Sequence, residues 1–567
     1  MGGSLYLRGV PASVGVAVGR AWVIAAGRRH LSLRRIAPEL AEDEIARFDR
    51  AVSHSRAEIE AAKQELTEQH GQAYASILDV YLLMHGDALL IDAIRDAIAE
   101  EHINAEWALT RVAERLKAPL LRDSSSYFRE RARDVDHVKE HLLRHLYGED
   151  RAEPVGDEPV VLLAHDLTPA DAVRMLGSPT VGLVTELGAS SGHTAILSRA
   201  LGVPAVMGVG PLPLEIEDDS EVVVDGFSGK VVIGPSRDER ESARARRARF
   251  LAFLSSERAT SAVTKDGTSI TVAANMELPS ELDAALESGA HGVGLYRTEF
   301  LCLDRGEPPS EQEQLEIYQR VAATMTPHRV VFRTFDWRGD KRPAAFELSD
   351  PQGTWLRAQV RAILRAGRQG SVALMFPMVS TVQELLDAKD VVERCRTELC
   401  AQIGPCAPIP VGMMVEVPSA ALLADRFARH ADFFAVGTND LSHYTLAVDR
   451  NDAAVSIDTN SLEPAVLELL ARTIRAATDA GIPCSMCGDM AANPVALSLA
   501  LGMGYRQLSV PVRMLPLVRS VVRDVDLELM TLLAHEALDC DSGDEVRRLL
   551  QERMEGFDPL WVERTAL

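Results

Sequence analysis

Apolar positions recur along this chain in two rhythms. From about Pro38 to Gly148 glycine almost disappears, and charged and apolar residues mix at helical spacing, as in AEDEIARFDRAVSHSRAEIEAAKQELTEQH and DALLIDAIRDAIAEEHINAEWALTRVAERL. That pattern predicts an all-helical bundle with solvated charged faces. The flanks read differently. LYLRGVPASVGVAVGRAWVI alternates small and apolar residues and predicts strands. After the linker-like GEDRAEPVGDEP, VVLLA predicts a strand, TPADAVRML a helix and VGLVTEL a strand, and SEVVVDGFSGKVVIG a hairpin around Asp225-Gly226. Arg237 to Arg258 predicts a highly charged helix without a strong apolar face, the form of a connector between mobile domains.

From about Ile270 short apolar runs alternate with helical patterns. The runs are ITVAANM, GVGLYR, RVVFRTFD, VALMFPM, VGMMVE, FFAVGTND, CSMCGDM and QLSVPV. Eight such runs with helices between them predict a (β/α)8 barrel. Polar residues gather at the C-terminal end of almost every run, the end at which such barrels build their sites. The whole chain therefore predicts a multidomain α/β protein with a C-terminal (β/α)8 TIM barrel.

Composition narrows the partners. The chain has 567 residues, nearly half of them apolar, which is enough for several cores. A net charge of −23 argues against nucleic acid, whose affinity rests on Lys and Arg at phosphates, and allows a basic protein partner. MGGSLYLRGVPASVG lacks a basic stretch followed by a long apolar run and lacks the Ser or Thr of a myristoylation signal, so neither a signal peptide nor a lipid anchor is expected. No stretch approaches a transmembrane span, so no membrane insertion is expected. Seven scattered cysteines suit reduced thiols in a cytoplasm.

One histidine stands out. In GASSGHTAILSRALGVPAVMG, small residues leave the His193 ring uncovered, while Ile196, Leu197, Ala200 and Leu201 fit one helical face and Gly202 with Pro204 ends it. His193 then sits in the first turn of a short helix. Unpaired N–H groups and the positive dipole end favour an anion there, such as a phosphoryl group, over an imidazolium. Taken alone, the same residue also reads as an ordinary turn or capping histidine.

The barrel ends carry a second constellation: Arg297 with Glu299, Arg333 with Asp336 and Lys341, Glu416, Asn439 with Asp440 and Arg450, and Cys487. Glu416 and Asp440 can hold one Mg²⁺, which takes few carboxylates plus substrate oxygens. Three arginines and a lysine can bind a small, multiply charged anion. A thiol at the same rim can give or take a proton. Singly, each arginine also reads as a rim salt bridge and Cys487 as an inert buried thiol. Cys484 and Cys487 form C-x-x-C, but no thioredoxin-like context or second pair supports redox or zinc chemistry.

GVGLYRTEF, RTFDWRGDK, GMMVEVPSA, FFAVGTNDLSHYTLAVDR and MCGDM resemble the phosphoenolpyruvate-binding barrel of the enzyme I family of the bacterial phosphotransferase system. GVPASVGVAVG, the helical insert, LTPADA and the His193 region extend the resemblance over almost the full length, in the family's order. Pyruvate phosphate dikinase and phosphoenolpyruvate synthase share these parts but add a large ATP-binding domain, for which this chain has no room. The resemblance implies a phosphohistidine swivel domain over 1–30 and 150–235, a helical HPr-binding subdomain over 31–149, a linker helix over 236–262, and a phosphoenolpyruvate-binding barrel that dimerises over 263–567. It makes His193 the phosphorylated residue, oriented by Thr168 and Ser191. It gives Mg²⁺, or Mn²⁺ in its place, to Glu416 and Asp440, and phosphoenolpyruvate to Arg297, Arg333, Lys341, Asn439 and Arg450. Cys487 would protonate the enolate to pyruvate, and the small carrier HPr would take the phosphoryl group, in a cytoplasmic homodimer that opens sugar transport.

The chain departs from the family's pattern in two places. Ala189 and Gly192 replace a glycine and a serine before His193, and Gly192 loosens the backbone there. After Lys341, RPAAFELSDPQGTWLRAQVRAILRAG shortens a segment that usually carries one more substrate arginine. That arginine is either lost or replaced by Arg357, which faces along a helix, and Arg338 stands where a glycine is usual. An active phosphotransferase is the leading reading. A diverged paralogue that binds carriers and transfers phosphate poorly is the alternative, and a stand-alone enzyme on phosphoenolpyruvate or pyruvate is a third. The helical insert argues against the third, because small-molecule chemistry does not need it.

Overall fold

The computed structural model describes residues 4–24, 33–70, 82, 84–120, 126–148, 158–167, 178–188, 194, 198–199, 202–213, 216, 220–257, 260–301, 309–336, 353–448 and 461–553. The chain divides into two compact units, Met1–Ala248 and Arg249–Leu567.

The first unit is built on β1 (Leu5–Arg8), β2 (Val10–Ser13), β3 (Val16–Ile24), β4 (Val160–Ala164), β5 (Thr180–Thr185), β6 (Ala205–Met207), β7 (Glu221–Asp225) and β8 (Lys230–Ile233). They form one sheet in the order β1-β8-β7-β3-β4-β5-β6-β2. Its middle, β3 to β6, is parallel and covered on both faces, so VVLLA is buried at every position. The edge strands β1 and β2 are separated in sequence by Gly9 alone, so the sheet curls until its edges meet there. A Cβ on Gly9 would come 2.4 Å from the Met207 carbonyl oxygen, which only glycine avoids. The expected hairpin is present as antiparallel β7 and β8. TPADAVRML lies outside the described residues.

Between β3 and β4 the chain forms α1 (Ala41–His70), α2 (Ala88–Glu101), α3 (Ala105–Leu120) and α4 (Ser126–Tyr147). Asp87 caps α2 by accepting the Leu89 N–H at 2.9 Å. Phe48, Ile59, Ile94, Ile98, Leu109 and Leu142 form its buried interior. The charged helix α5 (Arg237–Ser256) stops two residues earlier than expected, and Ala243 and Phe250 are its buried contacts.

The second unit is the barrel: β9 (Thr271–Met276), β10 (Val293–Arg297), β11 (Val330–Arg333), β12 (Val372–Phe376), β13 (Val411–Val415), β14 (Phe434–Gly437), β15 (Cys484–Cys487) and β16 (Gln507–Pro511). Each pairs in parallel with the next, and β16 closes on β9. All eight strands fall inside the apolar runs the sequence picks out. One boundary differs. FFAVGTND is strand only to Gly437, and a helix begins at Thr438, so Asn439 and Asp440 occupy its first turn rather than a strand end.

Alternation along the strands sorts the side chains. Phe332, Leu374, Val415, Val436 and Met486 face the outer helices. Leu295, Met375, Met414, Ala435 and Cys487 fill the interior. By the same period Arg333 and Glu416 continue the interior rows of β11 and β13, at the C-terminal rim.

Candidate active site at the barrel rim

Arg333 is the centre of the rim. Its side chain is buried and its Nη2 donates to Glu299 Oε1 at 2.8 Å. The same oxygen accepts the Asp336 backbone N–H at 2.9 Å. Burial works against the charged guanidinium, but Glu299, Glu416 and Asp336 outweigh it and hold the group firmly charged. The backbone beneath is pinned as well. Thr298 Oγ1 donates to the Arg333 carbonyl at 2.7 Å, Gln359 Nε2 donates to Thr298 Oγ1 at 2.9 Å, and Gln359 Oε1 accepts the Phe335 N–H at 3.0 Å. Gln359 is fully buried, so this network fixes rather than decorates the segment.

On the neighbouring strand Arg297 Nη1 donates to Glu277 Oε1 at 2.5 Å. Glu281 accepts the N–H groups of Glu277 and Leu278 at 2.8 Å each, and burial pushes its carboxyl up to about 7.

Glu416 is buried and accepts the Met378 N–H at 2.6 Å. Met378 holds φ 54°, a left-handed conformation that a side-chain-bearing residue adopts only under constraint. Burial raises the Glu416 carboxyl, Arg333 opposes the rise, and Asp440 and Asp336 add to it. Gly437 supplies the space, since a Cβ there would stand 3.0 Å from Glu416 Oε2.

Cys487 has 2% of its surface exposed, and its thiol donates to the Val436 carbonyl at 3.2 Å. Burial pushes that thiol up to about 12, Glu416 adds to the rise, and Arg297 and Arg333 oppose it. Asn439 Oδ1 accepts the Asp489 N–H at 2.9 Å, and its Nδ2 donates to Asp489 Oδ2 at 3.1 Å. Gly488 lies between Cys487 and that contact with φ 95°.

Arg297, Arg333, Glu416, Asn439, Asp440 and Cys487 therefore share one rim and, the neutral Asn439 aside, one electrostatic neighbourhood. Lys341 and Arg450 lie outside the described residues, as do His193, Thr168 and Ser191. Next to His193, Thr194 is helical, and Ser198 Oγ donates to its carbonyl at 2.7 Å. The ends of β4 and β5 stand beside each other, with His165 Nδ1 2.5 Å from Glu186 Oε2. Arg357 is turned away from the rim: its Nη2 lies 2.7 Å from Glu398 Oε2, on the helix Val382–Ile403.

Sequence reasoning passed over three rim groups. Glu277 and Gln359 have meaning only through partners that the topology supplies. Arg513, two residues past β16, is exposed and has no hydrogen-bond or ion-pair partner among the described residues. Surrounding protein nonetheless lowers its guanidinium pKa by desolvation.

The family profile described as "PEP-utilising enzyme, PEP-binding domain" matches residues 252–527. The corresponding N-terminal profile matches 8–131 and the mobile-domain profile 156–229. The chain is 36% identical over 566 residues to the phosphoenolpyruvate-protein phosphotransferase of Staphylococcus carnosus, covering 96% of this chain and 98% of that one. It is 34% identical over 567 residues to the protein of the same name in Staphylococcus aureus, covering 96% and 99%. A solution structure of Enzyme I (nEIt) protein is 29% identical, covers 43% of this chain and 99% of that chain, and superposes with a TM-score of 0.36. Three profiles in order and likeness along nearly the whole length place the chain in the phosphoenolpyruvate-protein phosphotransferase family of PEP-utilising enzymes, and its activity is phosphoryl transfer from phosphoenolpyruvate to protein in the phosphotransferase system.

Proposed function

We propose that the phosphoryl group passes from phosphoenolpyruvate to His193 and then to a histidine of an HPr-type carrier protein. The convergence of Arg297, Arg333, Glu416, Asp440 and Cys487 on one rim carries this reading. Arg297, Arg333 and Asn439, with Lys341 and Arg450, hold the phosphate and carboxylate of the substrate, where arginine forks match both groups. Arg513 stands at the same rim and supplies a further cation, while Arg357 is committed to Glu398.

A divalent ion fits Glu416 and Asp440. A buried carboxylate whose charge is opposed by a second carboxylate is the arrangement a cation relieves. Mg²⁺, with Mn²⁺ as the alternative, would neutralise oxygens of the substrate during transfer. The chain's own groups do the rest. A ring nitrogen of His193, oriented by Thr168 and Ser191, takes the phosphorus. The P–O bond breaks and its electron pair leaves on the enolate of pyruvate. Cys487 keeps its proton at neutral pH and donates it from Sγ to the enolate carbon, giving pyruvate; the thiolate then recovers a proton from water. Arg333, preorganised by Glu299 and the Gln359 network, spends no reorganisation on the developing charge.

The division into a swivel domain over 1–30 and 150–235, a carrier-docking insert over 31–149, a linker helix over 236–262 and a barrel over 263–567 belongs to the same reading. Dimerisation through the barrel belongs to the same reading. A cytoplasmic setting is supported by six free thiols among the described residues, and no described helix is long and apolar enough to cross a membrane.

The test is transfer itself. Incubating the full chain with phosphoenolpyruvate, Mg²⁺ and an HPr-type carrier should add one phosphoryl group to the carrier by mass and release one pyruvate for each. A carrier left unmodified by a chain that still releases pyruvate would remove the protein acceptor from this reading.

A further inference from the structure

The helical insert holds a cluster that the barrel chemistry does not use. His141 and His145 lie one turn apart on α4 and so share a face. Glu58, on α1, reaches both. Its Oε2 is 2.8 Å from His145 Nε2 and 3.6 Å from His141 Nε2, and the three donor atoms all lie within 4.8 Å of one another.

The surroundings orient these donors. His141 Nδ1 is 2.6 Å from Ser55 Oγ and 3.1 Å from His85 Nε2. With the proton on Nδ1 given to Ser55, Nε2 carries the lone pair and points at Glu58. A ring N–H held by a fixed acceptor in this way orients the other ring nitrogen toward a metal. Arg144 Nη2 donates to Glu58 Oε1 at 2.7 Å, which leaves Oε2 turned to the imidazoles. Ser55, His85, His141 and Arg144 are all buried. Burying that many polar groups between helices is costly where leucines would pack, and a bound cation offsets the cost.

We propose that Glu58, His141 and His145 bind one transition-metal ion of the Zn²⁺ class, with His85 and Ser55 as supporting groups. Two imidazoles and one carboxylate suit Zn²⁺ and leave a fourth position for water. Zn–N and Zn–O bonds of about 2.0–2.2 Å put tetrahedral ligands roughly 3.3–3.6 Å apart, so the 3.6 Å pair already fits and the 2.8 Å pair opens by less than an ångström. The donors differ from the oxygen-only pair at the barrel rim, which suits Mg²⁺. The ion ties α1 to α4 across the insert, so its binding free energy adds to the insert's stability.

The test uses the full chain stripped by chelation and titrated with Zn²⁺ against a chromophoric chelator, and separately with Co²⁺. The expected result is one Zn²⁺ per chain, retained in Glu416→Gln, together with a Co²⁺ visible spectrum of four- or five-coordination. His145→Gln, checked for folding by circular dichroism, should weaken binding by tenfold or more and flatten the Co²⁺ bands. Ser55→Ala should weaken it less, by disorienting His141. Zn²⁺ affinity equal in the wild type and in a folded His145→Gln, or binding lost only in Glu416→Gln, would overturn the proposal.

Discussion

Cys484 and Cys487 stand on opposite faces of one barrel strand. Three residues apart on a period of two, Cys484 packs among the outer helices and Cys487 in the barrel interior. Their C-x-x-C spacing therefore makes no dithiol pair, and only Cys487 reaches the rim chemistry.

Replacing Cys487 by alanine should lower pyruvate release about 10²–10⁴-fold, the usual worth of a positioned proton donor. Cys484→Ala should leave the rate near wild type. Because burial pushes the Cys487 thiol up to about 12, its thiolate is scarce at pH 8 and grows only as pH rises toward that value. Iodoacetamide should accordingly modify the half-buried Cys400 well before Cys487, as read by peptide mass spectrometry. Equal labelling at pH 8 would contradict the thiol's assigned state.

Glu299 and Glu398 each pair with an arginine, but in different surroundings. Glu299→Ala leaves Arg333 buried beside no direct counter-ion and should destabilise the barrel by about 3–5 kcal/mol. Glu398→Ala removes a partly exposed, solvent-screened pair with Arg357 and should cost far less. Urea denaturation of both variants measures the contrast, and equal costs would mean Arg333 is less enclosed than its contacts indicate.

Gly488 is held at φ 95°, and a Cβ there would meet Thr438 Oγ1 at 2.4 Å and Asn439 Oδ1 at 2.7 Å. Gly488→Ala should push Asn439 off Asp489 and raise KM for phosphoenolpyruvate while the barrel stays folded. An unchanged KM would show that Asn439 does not hold the substrate.

Arg513 and Arg357 separate two accounts of the shortened segment. Arg513→Ala should weaken phosphoenolpyruvate binding by about 1.5–3 kcal/mol, the worth of one charge-assisted hydrogen bond. Arg357→Ala should leave KM unchanged. The reverse outcome would assign the extra substrate cation to Arg357.

Much of the barrel was legible because buried parallel strands are continuous apolar runs bounded by polar ends. VALMF and VGMMV could hardly read otherwise, and the polar residue after each run marks the rim. Asn439 and Asp440 were legible as rim residues but read as a strand end and not as a helix start, because Gly437-Thr438 carries no separate strand-stop signal. Glu277 and Gln359 act through partners on other strands and helices, which no local pattern announces. His141 and His145 lie within the predicted helical insert, but only the fold sets Glu58 of α1 against them.

The central claim is that His193 takes the phosphoryl group from phosphoenolpyruvate. Intact mass of the full chain under neutral or alkaline conditions, after phosphoenolpyruvate and Mg²⁺, tests it most directly beside His193→Ala. The account predicts one phosphoryl adduct, formed with pyruvate and absent from the variant. A folded wild-type chain giving neither adduct nor pyruvate at millimolar substrate, or an adduct that persists in His193→Ala, would contradict it.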